Sequence, residues 1–159
     1  MRKRRSIRKY KDKEIPADIL VEILETARLA PSGANKQPWQ LVVVTDPQVK
    51  KGLVPICKEQ KFVADCSAFI AAVDEAGQKW VKVDAAIALE HIALAAVDRG
   101  LGTCWIGAFD PEKMGAYLGL PSGRQVTVCM TLGYPDEEPE ARPRKEMKEI
   151  VSWNRYGNR

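Results

Sequence analysis

Residues 84–107 read DAAIALEHIALAAVDRGLGTCWIG, and the order of signals within this stretch decides the architecture. From Asp84 to Arg99 the chain is rich in alanine and apolar nearly all round, which predicts a buried central helix. Gly100 supplies its C-terminal stop, and Thr103 to Phe109 then reads as a strand. Gly100-Leu101-Gly102 contains G-x-G, which invites a dinucleotide-binding reading. That fingerprint follows a strand and opens a helix; this one follows a helix and opens a strand, so the reading is rejected. The glycines are better assigned to close backbone approach, to a ligand or to the central helix.

Working towards the N-terminus, Ser67 to Val73 reads as a second buried strand and Leu41 to Val44 as another. Asp46-Pro47 has the form of an N-cap followed by proline at the first helical position, and Pro55 limits the helix that follows. Pro16 and Asp18 open a helix with apolar positions Ile19, Leu20, Ile23, Leu24 and Ala27, which Pro31 and Gly33 stop. Towards the C-terminus, Asp110-Pro111 starts a short helix ending at Gly119, and Val126 to Leu132 is a strand closed by Gly133. The remainder, from about residue 135, carries Pro135, Pro139 and Pro143. It reads as an extended arm with a short helical turn near Ile150. Alternating helices and strands indicate three layers, α/β or α+β, and the 159 residues fit one domain spanning 1–159. Arms of this kind often wrap a partner subunit.

The charge is uneven. The net charge is +4, yet Arg2, Lys3, Arg4, Arg5, Arg8 and Lys9 fall within the first ten residues with no acid among them. Such a cluster attracts phosphate, nucleic acid or anionic lipid. No stretch approaches the roughly 20 apolar residues of a membrane span, and no apolar run follows the basic start as in a secretory signal. A cytoplasmic location is the expectation. Cys57, Cys66, Cys104 and Cys129 form no C-x-x-C pair, and the single histidine, His91, is far from them. Buried reduced thiols are expected, with no metal site.

Three segments carry chemistry. In Arg4-Arg5-Ser6-Ile7-Arg8, three guanidinium groups and a hydroxyl can surround one phosphate through charge-assisted hydrogen bonds. Nucleic-acid contact is an equally fair use of the same segment. In Pro31-Ser32-Gly33-Ala34-Asn35-Lys36-Gln37-Pro38-Trp39, the Asn35 and Gln37 amides can read the edge of a flat heterocycle. Its prolines limit the loop's freedom. Arg142-Pro143-Arg144-Lys145 adds basic groups that can complete a phosphate site.

The order and spacing of these segments, together with Gly100 to Gly107 and the strand end Leu132-Gly133-Tyr134-Pro135, resemble the nitroreductase family over nearly the whole chain. The resemblance implies an α+β, three-layer α/β/α fold: a central mixed, mainly antiparallel sheet flanked by helices, with an extended C-terminal arm. It implies an FMN-dependent homodimer in which NAD(P)H reduces nitroaromatics, quinones or related small acceptors by ping-pong hydride transfer through flavin N5. It places Arg4, Arg5, Ser6 and Arg8 on the FMN phosphate and ribityl chain, with Arg142 and Arg144, or Lys145 in place of either, returning to the phosphate. Pro31, Ser32 and Gly33 would come from the other protomer and pack on the ring, with Asn35 and Gln37 in the same loop. Backbone amides near Ile106 and Gly107 would face the flavin edge. No catalytic side chain is implied, and His91 is expected to be structural. Only Glu75 to Val83 separates the second strand from the central helix, so the helical insertion of larger relatives is missing. A flavoprotein of the same fold with another redox task, such as dehalogenation or flavin fragmentation, is the alternative. A nucleic-acid-binding module would lack interleaved aromatics at the N-terminus and any nucleic-acid fold signature.

Overall fold

The computed structural model describes residues 1–75, 77 and 79–159. Ala76 and Gln78, inside the short connection anticipated between Glu75 and Val83, lie outside the described residues. Helices α1 (Ala17–Arg28), α2 (Pro47–Ile56), α3 (Phe62–Asp65), α4 (Val81–Asp98), α5 (Pro111–Tyr117) and α6 (Met147–Ile150) alternate with strands β1 (Trp39–Val44), β2 (Ala68–Glu75), β3 (Gly102–Ile106) and β4 (Arg124–Gly133). The strands form one sheet in the order β1-β2-β4-β3, with every neighbouring pair antiparallel. A parallel bridge joins Ser6 to Thr103 at the β3 edge.

Strand periodicity produces the layers. On β2, Phe69, Ala71 and Val73 face a core with Leu53 and Ile56 of α2, Val63 of α3 and Met114 of α5. The intervening Ala68, Ile70 and Ala72 face a second core with α1 and α4. β4 carries an irregularity that pairs Ala72 with Val128 and Val73 with Val126. One residue is passed over, so Val126 and Cys129 reach the first core while Met130 and Leu132 reach the second. The three-layer α/β/α expectation holds.

The differences from the sequence expectations are local. The central helix begins at Val81, ahead of Asp84, with Trp80 at the cap position and no side-chain capping bond. It is apolar on all sides but not covered on all sides: Val83 is exposed, and Ile87, Leu94 and Val97 on the same face are half-buried. β3 ends at Ile106 instead of Phe109. The anticipated stop at Gly100 is present: its φ is +70°, Leu101 N–H donates to Ala96 O at 2.8 Å, and Gly100 N–H to Val97 O at 3.1 Å. Pro55 sits within the last turn of α2, and the four-residue α3 was not signalled by periodicity. No described helix is long and apolar enough to cross a membrane.

Candidate functional site

The N-terminal segment is laid along the β3 edge. Ile7 N–H donates to Thr103 O at 2.9 Å, and Lys11 N–H donates to Tyr134 O at 2.9 Å. The Tyr10 hydroxyl donates to Ile7 O at 2.8 Å and lies 2.7 Å from Thr131 Oγ1. Gly102 makes this possible: a Cβ there would lie 2.5 Å from Ile7 Cγ1. The glycine thus admits the N-terminal segment, rather than a ligand or the central helix as the sequence suggested.

This docking brings Arg4, Arg5, Ser6 and Arg8 to one wall of a cleft of about 500 Å3, with Arg142 and Arg144 of the arm on another. Lys145 does not line it. The arm is held there by its first turn: Asp136 N–H donates to Lys9 O at 3.0 Å, and Glu137 accepts from the backbone N–H groups of Arg8 and Lys9. Arg5 is committed largely to backbone. Its Nε donates to Pro139 O at 3.2 Å and its Nη1 to Arg2 O and Arg4 O, each at 2.8 Å. Among the described residues no carboxylate forms an ion pair with Arg4, Arg8, Arg142 or Arg144. The six arginines lining the cleft outnumber its two acids, Glu137 and Glu140, and this excess of positive charge suits a phosphate dianion.

The Pro31–Trp39 loop builds a separate cleft of about 820 Å3 with the start of α4 and Arg124 at the head of β4. Gly33 and Gln37 line it; Pro31, Ser32 and Asn35 do not. Ser32 Oγ accepts the Gln37 N–H at 2.8 Å, and Gln37 Nε2 donates to Asn35 Oδ1 at 3.2 Å. Ala34, Asn35 and Gln37 hold φ of 51°, 53° and 48°, a conformation that side-chain-bearing residues adopt at a cost. Gly33 N–H lies 3.3 Å from each oxygen of Asp84. Trp80 is 56% exposed, with Lys79 Nζ 4.9 Å from its ring centroid. Ile106 and Gly107 stand at the end of β3, one buried and one exposed, and line neither cleft.

Sequence reasoning missed Trp80, Asp84, Arg124 and Glu137 as site-forming residues. Asp84 was visible only as a helix-start acid, and Arg124 lay ahead of the anticipated strand. Their roles depend on strand register and on loop docking, such as the pairing of Glu75 with Arg124, which no local pattern encodes. His91 Nδ1 lies 3.1 Å from Thr26 O of α1, and all four cysteines are buried and free.

Comparison with known proteins is concordant. The family model described as the nitroreductase family matches residues 1–75 and 57–134. An NADH dehydrogenase of Thermus thermophilus is 32% identical, over 95% of this chain and 92% of that protein. The solved structure of an FMN-dependent nitroreductase from Clostridium difficile is 31% identical, covers 98% of this chain and 97% of its own, and superposes with a TM-score of 0.88. The NADPH:FMN oxidoreductase of Vibrio harveyi, solved with NAD+, is 26% identical, with a TM-score of 0.91 over 98% of this chain and 75% of its own.

Proposed function

The chain belongs to the nitroreductase family, and from that premise we propose that it is an FMN-dependent oxidoreductase that works as a homodimer. NAD(P)H is the electron donor, and nitroaromatics, quinones or related small molecules are the acceptors. One observation carries the reading: the loop cleft is lined by Arg124 at the start of β4, whereas the arginine cleft is lined by Ser6, which bridges Thr103 opposite Leu132 near the far end of the same strand, so the length of β4, about 27 Å at about 3.4 Å per residue, lies between them. A cofactor that needs both sets must find one of them on a second copy. The face of α4 bearing Val83, Ile87, Leu94 and Val97, and an arm exposing Met147, Ile150, Trp153 and Tyr156, supply apolar surface for that copy.

In this arrangement Arg4, Arg8 and Arg142 hold the FMN phosphate, Arg144 flanks them, and Ser6 donates from the same wall. Arg5 fastens the arm through Pro139 O, so it organises the cleft as much as it binds. Pro31, Ser32 and Gly33 of the other protomer pack on the ring, with Asn35 and Gln37 at the loop's exposed edge. Backbone near Ile106 and Gly107 completes the pocket. Bound FMN supplies hydride acceptance and donation through its N5 position. The chain's own task is to bind, orient and limit water, and His91, held against α1, takes no part. Donor and acceptor use the open flavin face in turn. The short connection after β2 leaves that face less covered than an inserted helix would. The test is release of the cofactor by heat and its chromatography. FMN at about one per chain is expected; recovery of FAD alone, or of no flavin after loading with FMN, contradicts the proposal.

A further inference from the structure

Resting on the flavin reading above, we propose that Asp84 is the positioning residue that holds the Pro31–Gln37 loop in its ligand-ready shape. The loop cannot be expected to hold that shape alone. Ala34, Asn35 and Gln37 all sit in the left-handed region, which side-chain-bearing residues adopt at a cost. Conformations of this kind persist only where surrounding contacts enforce them. Within the loop, Asn35 N–H donates to Ser32 O at 3.0 Å, Lys36 N–H to Gly33 O at 3.1 Å, and Gln37 N–H to Ser32 Oγ at 2.8 Å. These bonds fold the loop on itself but do not fix it to the domain. Among the described residues, the one hydrogen-bonded tie from residues 32–37 to another element is Gly33 N–H to Asp84.

The acid is placed for this task and not for the ordinary one. It is 5% exposed, in the first turn of α4, where acids commonly serve the helix end. Here α4 has no side-chain cap; both oxygens of Asp84 instead lie within reach of the Gly33 N–H, from a residue far away in sequence. Gly33 is exposed and faces both this carboxylate and the indole: a Cβ built on it would make only ordinary contact, 3.6 Å from Trp80 Cδ1 and 3.9 Å from Asp84 Oδ2. The first turn of the central helix thus holds the loop by one polar contact, the Gly33 N–H donating to Asp84. Asp84 also lines the loop cleft, and the part proposed for it is exercised through the loop.

The test uses the full-length protein with Asp84→Ala, Asp84→Leu and Asp84→Asn, measuring the FMN Kd and the rate of tryptic cleavage after Lys36 relative to other sites in the same digest. Asp84→Ala should weaken FMN binding by about tenfold and speed cleavage after Lys36 by about tenfold, since one charge-assisted bond is lost. Asp84→Asn keeps an oxygen that accepts from Gly33 and should stay within about threefold on both measures. Asp84→Leu fills the buried space without an acceptor; it should behave as Asp84→Ala does, and it serves if the alanine variant does not fold. Acceptor-free variants with wild-type FMN affinity and wild-type cleavage overturn the proposal, and so does an asparagine variant as impaired as alanine. Should the wild type bind no FMN, the flavin reading falls, and the Lys36 cleavage ratio alone decides for or against the anchor.

Discussion

Arg8 and Arg5 stand three positions apart and play different parts. Arg8 offers a guanidinium that no carboxylate neutralises among the described residues, while Arg5 spends its Nε and Nη1 on three backbone carbonyls. Arg8→Ala should therefore weaken FMN binding by about ten- to a hundred-fold and leave thermal stability unchanged, because a charge-assisted hydrogen bond contributes about 1.5–3 kcal/mol. Arg5→Ala should weaken binding too, but with faster proteolysis of the arm beyond Pro139. Fluorescence titration with FMN and riboflavin checks both: riboflavin, lacking the phosphate, should not distinguish Arg8→Ala from wild type. The buried thiols give a second residue-level prediction. Burial pushes Cys57 from about 9 up to about 11 and Cys66 up to about 12, and it raises Cys104 and Cys129 as well. Burial likewise raises the Tyr10 hydroxyl. All five groups hold their protons more tightly when folded, so the stability they contribute is present below about pH 9 and is lost as pH rises towards 11–12. The thermal midpoint should fall steeply from about pH 9 upward, and native thiols should resist a disulfide reagent at pH 8 until denatured. A midpoint unchanged to pH 11 contradicts this.

At the scale of elements, the critical joint is between β3 and the N-terminal segment. Gly102→Ala would push its new methyl to within 2.5 Å of Ile7 Cγ1. It should cost roughly 1–3 kcal/mol by overpacking and should loosen the bridge of Ser6 to Thr103. Chemical denaturation should show the loss of stability, and FMN affinity should fall with it because Arg4, Ser6 and Arg8 ride on the displaced segment. Unchanged stability would mean the segment is not packed there. The elements themselves were largely legible. The apolar run through α4, the Gly100 stop, the two Asp-Pro starts and the unbroken apolar run of β2 all write their structure locally. What could not be read was contact made across the fold. The glycine of Gly102 announced a close approach but not its partner. Asp84 announced a helix start but not Gly33. Arg124 could join the loop cleft only once β2 and β4 were in register. The basic residues of the arm were visible, whereas their return to Arg4 and Arg8 depends on the backbone grip of Glu137.

For the whole molecule, the placing of the two clefts is what leads the proposal to a second copy. Light scattering should give about twice the 17.7 kDa chain mass, with an interface of roughly 2,000 Å2 or more, as obligate dimers bury. Truncation before Met147 removes the exposed Met147, Ile150, Trp153 and Tyr156 and should weaken dimer and flavin binding together. A monomer that retains tightly bound FMN would sink the shared site. The proposed alternation of donor and acceptor on one flavin face predicts parallel double-reciprocal plots, and intersecting lines would indicate a ternary complex. The most direct measurement is an anaerobic titration of the FMN-loaded dimer with NADH and with NADPH, followed through the visible flavin absorbance. Complete bleaching by about one equivalent of nicotinamide per chain, with colour restored on adding a quinone, is the predicted result. An FMN-loaded dimer that neither nicotinamide bleaches would contradict it.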